Sequence, residues 1–250
     1  MFNRYLTVTE RRHLLATVRA VKGPEAARDA ASFDVLQLTG MRLGEFVSLT
    51  VGDAALALQT GLLVIKSGRR KGGNRRKGPQ HGGSPDNFKA TKKRSVPDFE
   101  RHVTAALREA LLALLQARAV LFGICEDPDA PLLMSRFGAQ HGKAMSPRSI
   151  QMRTKYWVTK AGLDPRASPH WMRHSRAKDL LRSTTSKDPM GIVQSALGHT
   201  SRSSTAIYTA PDKEDLMQAA MDADRLAVGA MSRRAARRFH VESERAGVAA

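Results

Sequence analysis

Three short segments of this sequence place arginine, histidine and tyrosine side chains at spacings that suit phosphate chemistry. TGMRLGEFVSL puts Arg42 at the start of a predicted helix, directly after a glycine turn. HWMRH puts His170 and Arg173 one helical turn apart, so both side chains face the same way. LGHTSRSSTAIYT places Tyr208 nine residues after His199. Guanidinium groups are permanent bidentate donors to phosphate oxygens, whereas a tyrosine hydroxyl, with a pKa of about 10, needs a base or a positive field to act as a nucleophile.

A fourth segment, KATKKRSVP, lies between the first two. Taken together and in this order, the four segments resemble the tyrosine recombinase (phage integrase) family, and the resemblance runs from about residue 6 to about residue 216. HWMRH is not a zinc-peptidase helix, because Trp171 stands where the general-base glutamate of that motif belongs. Each segment is weak evidence alone, and only their order and spacing indicate the family.

The resemblance implies a role for each matched residue. Arg42 and Arg173 would clamp the non-bridging oxygens of a DNA phosphodiester while the Tyr208 hydroxyl attacks the phosphorus. His170 and His199 would supply a general base and a hydrogen bond to the phosphate. The product would be a transient 3′-phosphotyrosyl bond and a 5′-hydroxyl. Because the bond energy is kept in that linkage, the resemblance implies no cofactor and no metal.

The catalytic lysine is ambiguous. KATKKRSVP matches the family's pattern of a lysine seven residues before a Val-Pro strand start, which nominates Lys89 as the acid for the leaving 5′ oxygen. Counting forward from Arg42 favours Lys66 instead, at the end of the apolar strand LLVIK, where a simple phosphate contact is the other interpretation. We prefer Lys89, which keeps the whole pattern and makes residues 66–88 an insertion in a hairpin.

Composition points to a nucleic-acid partner. The 250 residues carry 41 Lys and Arg against 23 Asp and Glu, a net charge of +18, while 42% of the residues are hydrophobic, which is too many for a wholly disordered basic protein. A single cysteine, Cys125, excludes an internal disulfide framework. The sequence shows no signal peptide and no apolar run long enough to span a membrane. We therefore expect a cytoplasmic or nucleoid-associated protein that binds no membrane.

The segment 66–94 holds more than half of the surplus charge. Its eleven Lys and Arg and one acidic residue, Asp86, give 11 − 1 = +10, among six glycines and two prolines. Such a composition cannot bury an apolar surface, so its middle is expected to be a loop that adds sequence-independent affinity for DNA. The DNA-contacting residues predicted in and beside it are Lys66, Arg69, Arg70, Lys71, Arg75, Arg76, Lys77, Lys92 and Lys93.

The remaining pattern predicts a mainly α fold with a small antiparallel β-sheet, an α+β class that the resemblance identifies with the tyrosine recombinase catalytic domain. Caps and apolar spacing predict helices over residues 8–22, 24–38, 43–49, 98–122, 147–161, 169–182, 189–198 and 212–226, and a turn over 203–208. Strands are expected over 62–65 and 94–98. Readers of the DNA major groove are expected on the helix around residues 148–160.

The expected organisation is a catalytic domain over residues 1–226 and a basic, flexible tail over 227–250. The family's N-terminal core-binding domain has no counterpart in the sequence, so the chain is either a short catalytic-domain member or relies on another polypeptide or a missing segment. The amphipathic segment 212–226 carries Leu216, Met217, Ala220 and Leu226. It would either dock on a neighbouring subunit of a homotetramer or pack on its own domain.

The predicted function is site-specific recombination of double-stranded DNA by a homotetramer that is weakly associated or monomeric without DNA, with an accessory protein as a further partner. A type IB topoisomerase-like nicking and closing enzyme is the alternative with the same chemistry. A non-catalytic DNA-binding regulator is the alternative from another class, and a retained nucleophile at Tyr208 argues against it.

Overall fold

Helices make up most of the chain. The computed structural model describes residues 5–69, 98–136, 138–199, 203–206, 208, 211 and 215–228. In order, the elements are α1 Val8–Arg19, α2 Pro24–Thr39, α3 Leu43–Val47, α4 Val51–Thr60, β1 Leu62–Ile65, β2 Phe99–His102, α5 Ala105–Phe122, α6 Pro147–Lys160, α7 Pro169–Ser183, α8 Pro189–Leu197, α9 Ser203–Ala206 and α10 215–228. The predicted mainly α fold with a small antiparallel sheet is confirmed.

Most helices begin where the capping signals predict. Thr7 and Glu10 form a capping box on α1, with the Glu10 N–H donating to Thr7 Oγ1 at 3.2 Å and the Thr7 N–H donating to Glu10 Oε2 at 2.8 Å. Proline occupies the first turn of α2, α6, α7 and α8, where its missing N–H costs nothing. Local sequence therefore sets these helix starts.

Helix α4 has no counterpart among the predicted elements. Thr50 and Asp53 cap it reciprocally: the Asp53 N–H donates to Thr50 Oγ1 at 3.1 Å, and the Thr50 N–H donates to Asp53 Oδ2 at 2.9 Å. Gly61 then ends the helix at a φ of 75°. The Thr-x-x-Asp signal was present in the sequence, and the continuous apolar run after it hid the helical period.

The return strand lies further along the chain than predicted. β2 occupies Phe99–His102, inside the stretch expected to begin a helix, and α5 starts only at Ala105. The register pairs Leu62 with His102 and Ile65 with Phe99 in an antiparallel two-stranded sheet. Thr104 then caps α5 by accepting the Leu107 N–H at 3.3 Å. Residues 94–97 of the predicted strand lie outside the described residues.

The core is built around α2, whose faces pack against α1, α5 and α7. Its buried apolar residues include Phe33 and Leu36. A buried carboxylate also lies on this helix: Asp29 accepts the indole N–H of Trp157 at 2.7 Å and forms ion pairs with Arg28 and Arg153. Because an unpaired buried carboxylate is costly, this network fixes α6 on α2.

Helix α7 carries two of the predicted site residues and is attached to the N-terminal segment. Arg11 donates to both carboxylate oxygens of Asp179, at 2.6 and 2.7 Å. The Leu6 N–H donates to Ser175 Oγ at 2.9 Å, and that hydroxyl lies 2.8 Å from the Leu6 carbonyl oxygen. The described residues up to Tyr208 form one compact unit, and α10 belongs to a second.

Two apolar clusters divide the first unit. The large one spans α1 to α6 and includes Met172 of α7. The small one consists of Ala177, Val193, Leu197 and Tyr208, with Leu180 and Leu181 packed against it. Among the described helices, none is both long enough and apolar enough to cross a bilayer.

Candidate active site

Arg42 is held at the N-terminus of α3 by a buried carboxylate. Glu45, which is 2% exposed, accepts the Arg42 backbone N–H on Oε2 at 2.9 Å and the guanidinium Nη1 on Oε1 at 3.0 Å. The Arg42 side chain keeps 30% of its exposure. A charged anchor behind an accessible guanidinium orients the cation without occupying all of its five N–H donors.

Arg173 is buried and joins the C-terminal ends of two helices. Its Nη1 donates to the carbonyl of Gly40, the C-cap of α2, and its Nη2 donates to the carbonyl of Leu197, the last residue of α8, at 2.8 Å. Carbonyls at helix ends lack intrahelical partners and carry the negative end of the helix dipole. Arg173 therefore satisfies both helix ends, and the planar guanidinium is fixed by them.

Gly40 is required where Arg173 binds it. Its φ of 62° lies in the left-handed region, and a Cβ there would stand 2.9 Å from Leu197 Cδ2 and 3.2 Å from Arg176 Cγ. The glycine of TGMR thus lets the end of α2 approach α7 and α8 closely enough for Arg173 to bond both carbonyls.

His170 and His174 lie one turn apart on α7, and their rings meet edge to face with centroids 4.4 Å apart. The His174 ring also lies 5.1 Å from the ring of Tyr208. His170 is exposed and His174 is half-buried. His174 is not among the predicted site residues, although its spacing of four from His170 was the signal that could have found it.

His199 follows Gly198, the left-handed C-cap of α8. Its N–H donates to the Gln194 carbonyl at 2.9 Å, and its ring Nδ1 lies 2.9 Å from the Thr205 hydroxyl. Partial burial, followed by the positive charges of Arg173 and Arg42 and the neighbouring His170, lowers the pKa of His199 from 6.5 to about 4. The imidazole is therefore neutral at pH 7 and carries one N–H.

Tyr208 is buried, at 4% exposure, in the small apolar cluster. Its ring stacks beside that of His199, with the centroids 6.1 Å apart and an interplanar angle of 14°. Burial raises the pKa of the Tyr208 hydroxyl, and the charges of Arg173 and Arg42 oppose that rise only in part. The hydroxyl is protonated at neutral pH, so its attack on a phosphate needs a base.

The structure thus brings together five of the six predicted catalytic residues. Arg173 bonds the Gly40 and Leu197 carbonyls, each two residues before Arg42 and His199, and ring contacts lead from His170 through His174 to Tyr208, which stacks beside His199. The sixth, Lys89, lies outside the described residues. Lys66 stands at the end of β1, with its side chain 67% exposed and its Nζ 3.4 Å from Asp98 Oδ2.

The predicted DNA contacts are only partly described. Arg69 makes a fork of bonds to both oxygens of Asp53 and donates to the Ser48 carbonyl at 2.8 Å. These bonds fix the chain after β1 on the start of α4, and the bond to Asp53, together with the charges of Asp53 and Asp98, raises the pKa of Arg69 further. The other residues lie outside the described ranges: Arg70, Lys71, Arg75, Arg76, Lys77, Lys92 and Lys93.

The assembled groups are two guanidinium donors, a neutral imidazole, an exposed imidazole and a tyrosine hydroxyl. This set can bind an anion with tetrahedral oxygens and present a nucleophile to it. Within the described ranges, no group of three or more His, Cys, Asp or Glu side chains is placed to hold a metal ion.

Comparisons with known proteins identify the family. The model of the phage integrase family matches residues 4–215. The tyrosine recombinase XerC of Alcanivorax borkumensis is 30% identical over 213 residues, which cover 85% of this chain and 57% of that protein. The XerC of Methylobacterium sp. (strain 4-46) is 33% identical over 193 residues, covering 77% of this chain and 48% of that protein. The chain therefore spans about half the length of these curated relatives.

Solved structures share the fold. XerA recombinase superposes with a TM-score of 0.60 at 22% identity, covering 87% of this chain and 62% of that one. The Tn1549 transposon integrase in complex with transposon right end DNA gives 0.61 at 18% identity, covering 91% and 67%. With a family model that matches most of its residues and a site whose residues converge in space, this chain belongs to the phage integrase family.

Proposed function

We propose that this chain cuts and rejoins double-stranded DNA at specific sites through a covalent bond between Tyr208 and a DNA 3′-phosphate. The observation that carries the proposal is the position of Tyr208: its ring stacks beside His199 and lies 5.1 Å from the ring of His174, and its hydroxyl lies in the field of Arg173 and Arg42, the two guanidinium groups that would bind the phosphate. The relatives are named tyrosine recombinases, and the structural neighbours include a XerH complex with its difH substrate.

In this mechanism Arg42 and Arg173 bind the non-bridging oxygens of the scissile phosphate. The Tyr208 oxygen forms a bond to phosphorus as the bond to the 5′ oxygen breaks, and the Tyr208 proton passes to a base, for which His170 is the exposed candidate. His199 donates a hydrogen bond to the phosphate. Attack by a 5′-hydroxyl then reverses the step, frees Tyr208 and joins the strands.

Covalent trapping tests this proposal. Tagged protein is incubated with a pool of nicked duplexes that contain a randomised central segment, and complexes are recovered after denaturation in detergent. We expect the wild type to retain DNA and Tyr208→Phe to retain none. The unfolding of Tyr208→Phe should match that of the wild type. Tyr5→Phe, a change at a buried tyrosine outside the site, is the matched control and should retain DNA. Equal recovery with Tyr208→Phe would contradict the proposal.

The same assay separates the candidate functions and reveals the target. Sequencing the trapped DNA identifies the recognition site. Strand exchange between two such sites supports a recombinase, whereas relaxation of supercoils without exchange supports a type IB topoisomerase-like enzyme. DNA binding without any adduct supports a regulator.

Lys89 is proposed as the acid that protonates the leaving 5′ oxygen. Lys66 is a surface lysine paired with Asp98, an arrangement that needs no catalytic role. We expect Lys89→Ala to lose cleavage, and expect cleavage to be restored by a 5′-thio leaving group, which needs no proton. Lys66→Ala should keep cleavage. The reverse outcome would assign the role to Lys66.

The exposed face of α6 is proposed to contact DNA. Arg148, Lys155, Tyr156 and Lys160 are all exposed, and Lys160 Nζ lies 5.9 Å from the Tyr156 ring centroid. A cationic helix face with an aromatic side chain suits the major groove. Lys155→Ala should weaken binding to the trapped site, with a shallower salt dependence. Lys187→Ala, at an exposed lysine before α8, is the control for net charge.

Helix α10 is proposed to contact a second copy of the chain. α10 exposes Leu216, Met217 and Leu226, which suits docking on a second copy in a homotetramer on DNA. Leu216→Glu should then abolish strand exchange while leaving single-site DNA binding intact.

The basic segment 66–94, with its net charge of +10, is proposed to strengthen DNA binding. Deleting residues 68–83 should therefore weaken binding and flatten its salt dependence.

A further inference from the structure

Thr205 contacts both His199 and Tyr208 by different groups. Its side-chain hydroxyl lies 2.9 Å from His199 Nδ1, and its backbone carbonyl accepts the Tyr208 N–H at 3.0 Å. The residue is fully buried. Thr205 therefore connects the predicted phosphate donor to the predicted nucleophile through one residue of α9.

A hydroxyl at Nδ1 constrains the chemistry of the other ring nitrogen. His199 is neutral at pH 7, so only one of its two nitrogens carries a proton. When the Thr205 hydroxyl donates to Nδ1, the proton must sit on Nε2, which becomes a donor. In the other tautomer Nδ1–H donates to the hydroxyl, and the bare Nε2 would repel a phosphate oxygen.

The surroundings favour the first arrangement. The ring lies in the field of Arg173 and Arg42, the two groups proposed to bind an anionic phosphate. A bound phosphate offers only acceptors toward the ring, so a donor at Nε2 is stabilised there. The backbone of His199 is fixed independently, by its N–H bond to Gln194, and the hydroxyl of Thr205 makes its hydrogen bond with the ring.

We propose that Thr205 is a positioning residue that holds His199 in the Nε2–H tautomer, aimed at the scissile phosphate, while its carbonyl fixes the start of the Tyr208 backbone. The proposal rests on the function proposed above, in which His199 donates to that phosphate. It gives Thr205 no contact with DNA, and its role is exerted through His199.

Nitrogen-15 NMR of the histidine-labelled 250-residue chain reads the tautomer directly, with the His199 signals assigned from His199→Gln. The wild type should show the proton on Nε2 alone. Thr205→Val keeps the side-chain shape and removes the hydroxyl, so the ring should lose its single tautomer. Thr205→Ser should restore it. A wild-type ring with the proton on Nδ1 would overturn the proposal.

Adduct formation supplies the second readout. Thr205→Val should slow single-turnover cleavage about 10- to 100-fold, because a misplaced donor costs that much, and Thr205→Ser should recover most of the rate. In a His199→Gln background the valine change should add no further loss. The positioning role of Thr205 would be overturned if Thr205→Val cleaved at the wild-type rate, or if the valine change slowed cleavage by the same factor in the His199→Gln background.

Thr154→Val is the matched control. Thr154 is equally buried, and its hydroxyl donates to the Ile150 carbonyl at 2.8 Å within α6. Thr154→Val should leave both the His199 tautomer and the cleavage rate unchanged, because it removes a buried hydroxyl that does not contact His199. If the wild type formed no adduct with any DNA, the proposed function would fail, whereas the NMR measurement would still report on Thr205 and His199.

Discussion

Arg42 and Arg173 carry the same guanidinium, yet the molecule holds them by opposite means. Arg42 is partly exposed and is anchored by the charge of Glu45, three residues away. Arg173 is buried and is anchored by two uncharged backbone carbonyls, 133 and 24 residues away in sequence. The first anchor is local and electrostatic, whereas the second exists only when α2, α7 and α8 have packed. The site therefore combines an anchor set by local sequence with an anchor that depends on the packing of the whole fold.

The largest expected effect comes from replacing each arginine by lysine. Both variants should lose about 100- to 1000-fold in the rate of adduct formation, since each removes a preorganised donor to the phosphate. Arg173→Lys should also lose about 1–3 kcal/mol of unfolding free energy, because a single nitrogen on a different stem replaces the two guanidinium nitrogens that bond the two carbonyls. Arg42→Lys keeps a cation beside Glu45 and should unfold like the wild type. Equal losses of stability would contradict the comparison.

Gly40→Ala should disturb the anchor of Arg173, because Arg173 bonds the carbonyl of this residue. The left-handed φ and the 2.9 Å approach to Leu197 Cδ2 both oppose a Cβ, and we expect a loss of at least about 2 kcal/mol in urea unfolding together with slower cleavage. Gly44→Ala is the control: its Cβ would meet nothing within 4 Å, and alanine in a helix is neutral or stabilising. Equal stability of the two variants would refute the close-approach argument.

Glu45→Gln tests whether the charge of Glu45 is needed to orient Arg42. The amide oxygen can still accept the Arg42 N–H, but the charge that orients the guanidinium is gone. We expect roughly 10-fold slower adduct formation, about 1.4 kcal/mol. Glu10→Gln makes the same change in the capping box of α1, where no site residue lies, and should cleave normally. A normal rate for Glu45→Gln would show that the cap alone orients Arg42.

The smallest expected effect concerns pH and His199. Its pKa is about 4 in the folded chain and about 6.5 when unfolded, so the unfolded state takes up the proton first as the pH falls. The stability contributed by the neutral ring is present above pH 6.5 and is lost between about 6.5 and 4. Partial exposure makes the loss small. The melting temperature of His199→Gln should fall less than that of the wild type across this window, and parallel falls would exclude the effect.

Much of the fold was predictable from local signals. The caps of α1, α6, α7 and α8 set helix starts that the structure confirms. Failures occurred where local and tertiary preferences compete. Asp98 is of a type that commonly caps helices, but here its carboxylate accepts the Ser67 N–H and pairs with Lys66. Residues 99–102 pair with β1, so they form a strand in a segment predicted as a helix. Thr205 was missed because threonine is not a distinctive residue type and only its contacts mark it, whereas His174 was missed although its spacing of four from His170 was visible in the sequence.

Sequence alone determined the residue types of the site, the excess of positive charge, the helical class and the local anchor of Arg42, because each depends on composition or on neighbours within one helical turn. Only the tertiary structure decided that Arg173 joins the ends of α2 and α8, that Thr205 reaches the ring of His199, and that Tyr208 is buried beside them. These contacts join separate elements, and no periodicity along one element specifies which carbonyl or hydroxyl another element will present.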